Sequence, residues 1–468
     1  MKSDISIMNE FPGTPRPQQE NALRQIESNW DQADVFVIEI PTGGGKSRIA
    51  VTLARWVNKK YRLKSNILAP TNILVDQYRE EFPKMHTLAR KGNYRCFGKE
   101  GTRSYSSCQD HYDGCGNHCR GCPYIATVRK SHIAPYGIYN PYTYLAHRLY
   151  KPVLIVDEAH NLVKMITSMA AKRIWKKQYN FPNWVTNYRT LFRWVQDALK
   201  EFPNDRKLNI LNTDLETGKM RYLVERAIET NRGKEEEVLN LLPIDISEEK
   251  PVLWPSTNKN PVRKIILLSA TFSKVDLQQL GLDKKRVMWI KTDSPIPTER
   301  RPISYQGVEH YSSNSLPSDK TWKWLESAME SHPHVKGLIH MPYSMARVFE
   351  SKLPDTLRQR LMFHDNLSKQ QVYEEWRTSD PVQGKVLVAS GMYEGIDLKG
   401  PEFGWQAILK IPFPNLGEPA LRYLADEKPE QYAWLAIKDV LQASGRICRA
   451  PDDYGDCLLY TSPSPRDS

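Results

Sequence analysis

The sequence predicts an α/β protein built on two parallel-sheet lobes, and three observations carry that prediction. Short apolar runs alternate with helical patterns, the rhythm of a parallel sheet whose ligands sit at the carboxyl ends of its strands. One run stops at a glycine-rich turn, residues 41–47, and another stops at the adjacent carboxylates Asp157 and Glu158. A second strand–helix series opens near residue 297, after two interruptions of the rhythm. The 468 residues are enough for about three domains. An apolar share of 40% with 26% charged fits a globular chain and excludes a disordered one.

The elements follow in order. Residues 21–30 read as a helix and 35–40 as a short buried strand that ends at Pro41-Thr42-Gly43-Gly44-Gly45. A helix over 46–58, a strand over 65–69 and a helix over 73–82 come next. A cysteine-rich stretch, about 91–130, breaks the alternation, and a strand over 153–156 resumes it. Residues 162–249 are polar and Trp-rich, with helical patterns such as 188–202 and no βα alternation. They read as an inserted helical domain with Trp175, Trp184 and Trp194 in its core. A strand over 264–268 returns to the sheet. In the second series, 337–340, 385–389 and 406–411 read as strands and 432–442 as a helix.

Lys plus Arg number 66 against 54 Asp plus Glu, a net +12 that favours a polyanionic partner. The longest apolar runs, 153–156 and 265–268, are far too short to span a bilayer, and residues 1–10 lack the pattern of a signal peptide. No membrane role is expected. Five of the seven cysteines (Cys96, Cys108, Cys115, Cys119, Cys122) fall within 27 residues. In a reducing compartment such a knot of thiols holds metal more often than disulfides.

The turn Thr42-Gly43-Gly44-Gly45-Lys46-Ser47 between a strand and a helix has the chemistry of a phosphate cradle. Glycines let backbone N–H groups curl around an anion, and the helix N-terminus adds partial positive charge. Lys46 would reach the β- and γ-phosphates of a nucleotide and Ser47 would ligate Mg²⁺. The strict pattern asks for glycine where Ile40 stands. Of the carboxylates, Asp157 would hold the Mg²⁺ shell and Glu158 would polarise the attacking water. Far along the chain, Gln442-Ala443-Ser444-Gly445-Arg446-Ile447-Cys448-Arg449 places two arginines on one helix face, suited to charge developing on a γ-phosphate.

Taken in order, Pro41 to Ser47, Asp157-Glu158-Ala159-His160, Ser269-Ala270-Thr271 and Gln442 to Arg449 resemble the motifs of superfamily 2 helicases. The cysteine cluster between the first two narrows the resemblance to the iron–sulfur helicases related to XPD and DinG. Arg16-Pro17-Gln18-Gln19 is similar to the family's opening motif, with Gln19 as its adenine-side glutamine. Thr71, Leu74 and Gln77 match the next motif, and Glu394-Gly395-Ile396-Asp397-Leu398 matches motif V. The likeness extends over about residues 11–455.

The resemblance implies two RecA-like motor lobes, with an iron–sulfur domain and a helical arch inserted in the first. The expected division is 1–90, 131–161 and 251–296 for lobe 1, 91–130 for the iron–sulfur domain, 162–250 for the arch and 297–456 for lobe 2. It also implies ATP-driven 5′→3′ movement on single-stranded DNA with duplex unwinding, and forked duplex as a partner. His160, Ser269, Thr271, Glu394, Gly395 and Asp397 would couple hydrolysis to movement, while Gln442, Arg446 and Arg449 would act on the γ-phosphate. The family's life inside the cell implies a cytoplasmic monomer, nuclear only in a eukaryote, with DNA repair among its expected roles.

A [4Fe–4S] cluster needs four thiolates, and five are present. Cys96 and Cys122 stand at family ligand positions, Cys115 and Cys119 lie nearest to Cys122, and Cys108 is the spare. Cys₄ with short spacings suits Zn²⁺ equally well, and only the resemblance favours iron. Residues 91–151 hold nine basic and three acidic residues, with nine of the 23 tyrosines. Basic groups track phosphates and aromatic faces stack on bases, so this span reads as a DNA-lined surface. After Gly455, where relatives carry a further strand, Cys457 to Ser468 looks like a translated transposon-type sequencing adapter. Residues 457–468 are expected to be a read-through, with the natural C-terminus missing. Two other readings stay open: a DNA-stimulated translocase that removes proteins or R-loops with little unwinding, and a zinc-containing nucleic-acid-binding module.

Overall fold

The structure is a computed structural model that describes residues 5–41, 43–94, 122–217, 222–231, 234–244, 246, 261–294, 296–308, 317–365, 368–390, 392, 400, 402–445, 447–448 and 453–461. It divides into two compact units, one of Met1–Ile40 and Gly45–Thr292, the other of Pro41–Gly44 and Asp293–Ser468.

In the first unit the strands are β1 (Val35–Glu39), β2 (Ser65–Leu68), β3 (His86–Thr87), β4 (Tyr136–Tyr139) and β5 (Val153–Val156), of which β1 and β5 are apolar, β-branched runs. The inserted segment adds β6 (Lys172–Trp175), β7 (Tyr222–Asn231) and β8 (Lys234–Pro243), after which β9 (Lys264–Ser269) and β10 (Val287–Lys291) return to the main sheet. That sheet has seven parallel strands in the order β10-β1-β9-β5-β2-β4-β3. Side chains alternate between its faces, as strand geometry requires. Phe36, Ile38, Ile67, Ile155 and Ile266 pack on one side with the helix Lys46–Tyr61, while Val35, Val37, Leu154, Val156 and Leu267 pack on the other. Each fully buried Val, Leu or Ile contributes about 1.5–3 kcal/mol. Strand order places β1, β9 and β5 side by side at the centre. The motifs that follow these three strands therefore emerge together at one edge.

The inserted domain departs from the helical expectation. Helices Tyr188–Glu201 and Arg206–Glu216 are present, but they pack on a three-stranded antiparallel sheet, β6-β8-β7. The reason lies in Lys234-Glu235-Glu236-Glu237, an acidic run that is a poor strand signal on its own. Tertiary partners compensate: Lys176 and Arg226 both contact Glu237, holding its carboxyl below the usual range. Of the three tryptophans expected in this core, Trp194 is buried with Phe181, Leu191 and Leu239. Trp184 is instead exposed, with Arg193 over its ring.

The second unit holds β11 (Ile303–Val308), β12 (Lys336–His340), β13 (Leu361–Phe363), β14 (Val386–Ala389), β15 (Phe403–Ile408) and β16 (Asp456–Thr461). All six are parallel, in the order β11-β16-β15-β12-β14-β13. The molecule is thus α/β with two RecA-like parallel-sheet lobes.

The strand β16, Asp456–Thr461, runs into the stretch expected to be a read-through. Cys457 is buried, accepts a hydrogen bond from Gln406 Nε2 at 3.3 Å and pairs in register with Ile303 and Gln406. Cys457-Leu458-Leu459-Tyr460-Thr461 is apolar and strand-prone whatever its origin, and the slot between β11 and β15 takes it.

Candidate functional site

The site grows from the ends of β1, β5 and β9. After β1, the Gly44 N–H closes a turn on the Pro41 carbonyl at 3.0 Å, and Gly43 and Gly45 both adopt φ of +77°. Only glycine takes that conformation at little cost. Space makes a second demand at Gly45, since a Cβ there would lie 2.2 Å from Gln19 Nε2. The helix Lys46–Tyr61 starts immediately afterwards, so its free N–H groups face the turn.

Lys46 is buried at the first position of that helix, and its Nζ meets Glu158 Oε1 at 3.1 Å. Asp157 follows β5 and is only 2% exposed. Its Oδ1 accepts the Glu158 N–H at 2.9 Å and its Oδ2 accepts the Tyr78 hydroxyl at 2.7 Å. Burial, and next the Glu158 charge, push the Asp157 carboxyl above its usual range, while Lys46 and the Tyr78 hydroxyl pull it back. Glu158 itself sits at φ +49°, a conformation a non-glycine residue holds only under constraint.

His160 Nδ1 lies 3.1 Å from Ser269 Oγ at the end of β9 and 3.3 Å from Glu158 Oε2. The Asn161 amide donates to His160 Nε2 at 2.9 Å, which leaves the ring proton on Nδ1, directed at those two oxygens. Ser269 Oγ also accepts the Thr271 N–H at 3.1 Å, and the Ile40 N–H donates to the Ser269 carbonyl at 2.9 Å. The Ser-Ala-Thr segment, the carboxylates and the strand leading into the glycine turn form one hydrogen-bonded group.

Gln19 is buried on the helix Pro17–Asn29. Its Oε1 accepts the Arg16 N–H at 2.9 Å and its Nε2 donates to the Gly45 carbonyl at 3.3 Å, so this amide braces the turn. Thr71 caps the helix Asn72–Glu81 by accepting the Leu74 N–H, and Gln77 on that helix is exposed. The structure therefore brings together Gln19, Gly45, Lys46, Ser47, Asp157, Glu158, His160, Ser269 and Thr271. Gln442 is half-buried in the last turn of the helix Pro429–Ser444 in the second unit. Thr42, Glu394, Gly395, Asp397, Arg446 and Arg449 lie outside the described residues.

Tyr78 was not singled out by the sequence. The only signal was its place three residues after Val75 on the buried face of a helix, which marks core. Burial, and then the Asp157 charge, push its hydroxyl well above 10, so it is always a donor.

Of the clustered cysteines only Cys122 is described, a free buried thiol that precedes the helix Pro123–Ile133. Cys96, Cys108, Cys115 and Cys119 lie outside the described residues. Among the described residues no three His, Cys, Asp or Glu side chains converge as a metal site, and no helix is long and apolar enough to cross a membrane.

The basic, Tyr-rich span is only partly surface. Tyr139 and Tyr144 are core, whereas Tyr142 is 55% exposed. Lys151 is also buried, and its Nζ has no hydrogen-bond partner. Burial, reinforced by Lys64, lowers its amine from 10.5 to about 7. Protonation therefore favours the unfolded chain, and stability falls as pH drops from about 10 to about 7. Lys151→Met is expected to raise stability at pH 7 by about 1–3 kcal/mol. The difference in thermal midpoint between variant and parent should close as pH approaches 10, and a gap independent of pH would refute this account.

Comparison with known proteins follows the two units. Residues 13–186 match the family described as type III restriction enzyme, res subunit, and residues 326–462 match a helicase C-terminal domain. No curated protein matches the chain. Among solved structures, S. tokodaii Xpd4 is similar over 95% of both chains at 13% identity, with a TM-score of 0.51. A structure described as apo XPD is similar over 96% of both chains at 15% identity, with a TM-score of 0.52. At such identities the structures attest to fold. A res-subunit domain in the first unit and a helicase C-terminal domain in the second, on a fold shared with XPD, support a nucleic-acid helicase of the superfamily 2 type.

Proposed function

We propose that the chain is an ATP-dependent DNA helicase that moves 5′→3′ on single-stranded DNA and unwinds duplex, forked substrates included, as a cytoplasmic monomer. The observation that carries this reading is the group of buried Lys46 and Asp157 with half-buried Glu158 beside a glycine turn and a helix N-terminus. Its chemistry is metal-assisted hydrolysis of a phosphoanhydride.

Mg²⁺ fits the donors present: the Ser47 hydroxyl and the Asp157 carboxylate are hard oxygens, and the phenol of Tyr78 donates to the carboxylate. Bound there, the ion would neutralise phosphate charge. Lys46 draws the β- and γ-phosphates to the turn, and Glu158 orients the attacking water and takes its proton. Gln442, Arg446 and Arg449 act on the γ-phosphate. Ser269, Thr271 and His160, with Glu394, Gly395 and Asp397, couple hydrolysis to movement. Residues 91–130 form the iron–sulfur domain, with Cys96, Cys115, Cys119 and Cys122 as ligands of a [4Fe–4S] cluster. The buried thiol of Cys122 is a suitable soft donor.

ATP hydrolysis measured with and without single-stranded DNA, followed by strand separation on 5′- and 3′-tailed duplexes, tests the reading. DNA should stimulate turnover and only the 5′-tailed duplex should open. Hydrolysis indifferent to DNA would sink the motor, and opening from 3′ tails alone would reverse the polarity. Stimulated hydrolysis that opens neither duplex would replace unwinding by translocation. Anaerobic protein should absorb broadly near roughly 400 nm, and stoichiometric zinc without that band would replace the cluster.

A further inference from the structure

Tyr78 lies outside every helicase-like motif in the chain, yet its hydroxyl touches the centre of the site. It is 1% exposed and comes from the helix Asn72–Glu81, not from the glycine turn or from β5. A phenol has one proton to give. Asp157 Oδ2 receives it at 2.7 Å, because an ionised carboxylate can only accept.

Direction matters here. Tyr78 O–H points at Asp157. The phenol proton occupies one lone pair of Asp157 Oδ2, and the carboxylate's remaining lone pairs are left for a cation. The Glu158 N–H fixes the other carboxylate oxygen, so the Asp157 carboxylate is held at both ends.

We propose that Tyr78 is the positioning residue that orients Asp157 toward the nucleotide's divalent cation, and that it ties metal binding to the helix Asn72–Glu81. The inference rests on the nucleotide-site reading above. Partners of this kind, one bond removed from the metal, commonly change metal affinity by about 10–100-fold when removed.

Tyr78→Phe removes only the oxygen and keeps the buried ring. The test is equilibrium binding of Mn²⁺ to the ADP complex, followed by the loss of the free-ion magnetic resonance signal, beside thermal melts of each protein. Wild type should bind Mn²⁺ in an ADP-dependent way, and Tyr78→Phe should bind it about tenfold more weakly with the fold retained. Equal affinity in a folded Tyr78→Phe protein overturns the proposal while leaving the nucleotide site standing. Absence of ADP-dependent Mn²⁺ binding in wild type would instead overturn the nucleotide-site reading itself. A second measurement needs no variant: hydrogen exchange in residues 72–81 should slow when Mg²⁺ and ADP bind together, and not with either alone. Unchanged exchange there overturns the link to the helix even if Tyr78→Phe fails to fold.

Discussion

Lys46→Ala is expected to lower ATP turnover by at least about 10²-fold, the scale set by removing one preorganised donor from a phosphate or oxyanion site. Two losses combine. The cation that would travel to the β- and γ-phosphates disappears, and so does the 3.1 Å ion pair with Glu158. Lys46 is also the charge that most opposes the upward push on Asp157. Without it, buried Asp157 faces only its half-buried neighbour's like charge, rises further above its usual range, and takes up a proton instead of a metal. The variant should therefore bind Mg²⁺–nucleotide poorly, and more poorly still as pH falls below neutrality. Binding to single-stranded DNA should survive, because the residues proposed to contact DNA lie outside this group. Steady-state hydrolysis and a DNA-binding titration on the same sample check both halves. Turnover within about threefold of wild type would remove Lys46 from the chemistry.

Much of this site was legible because its chemistry is local. A glycine turn, a lysine and a serine between an apolar strand and a helix follow one another in sequence. The strands β1, β2, β5 and β9 fall where periodicity put them, to within a residue at each end. Elements whose stability comes from distant partners were harder to see. β15 begins at Phe403, three residues before the expected start, because Gly404 resembles punctuation. Its missing Cβ is in fact required, as one would meet Val335 Cγ2 at 2.6 Å. β10, an edge strand half-buried over most of its length, was not singled out although Val287-Met288-Trp289-Ile290 is an apolar run. The β7–β8 hairpin carries Glu229 opposite Glu236, a like-charge pair that propensity disfavours and that neighbouring lysines and arginines offset. Tyr78 was invisible for a related reason. A buried tyrosine on a helix reads as packing until the carboxylate it meets, 79 residues away, is in place.

Glu158→Gln should separate turnover from affinity, and the separation identifies what Glu158 does. The amide keeps the size of the side chain and the same backbone demand at φ +49°, so the strained turn is undisturbed. What it loses is the negative charge and the capacity to take a proton from water. General-base contributions run to about 10²–10⁴-fold, and turnover should fall by that order. Affinity should move the other way. The Glu158 charge is the second-largest influence raising the Asp157 carboxyl, after burial. Its removal returns Asp157 toward an ordinary carboxylate, ionised over a wider pH range and better able to hold a divalent cation. Lys46, released from its partner, is also free to engage phosphate. Single-turnover hydrolysis should thus slow sharply, while equilibrium binding of a fluorescent Mg²⁺–nucleotide stays equal or tightens, most visibly at about pH 6, where the wild-type carboxyl is partly protonated. A parallel loss of both would make Glu158 a binding residue and leave the attacking water without a base among the groups assembled at β1, β5 and β9.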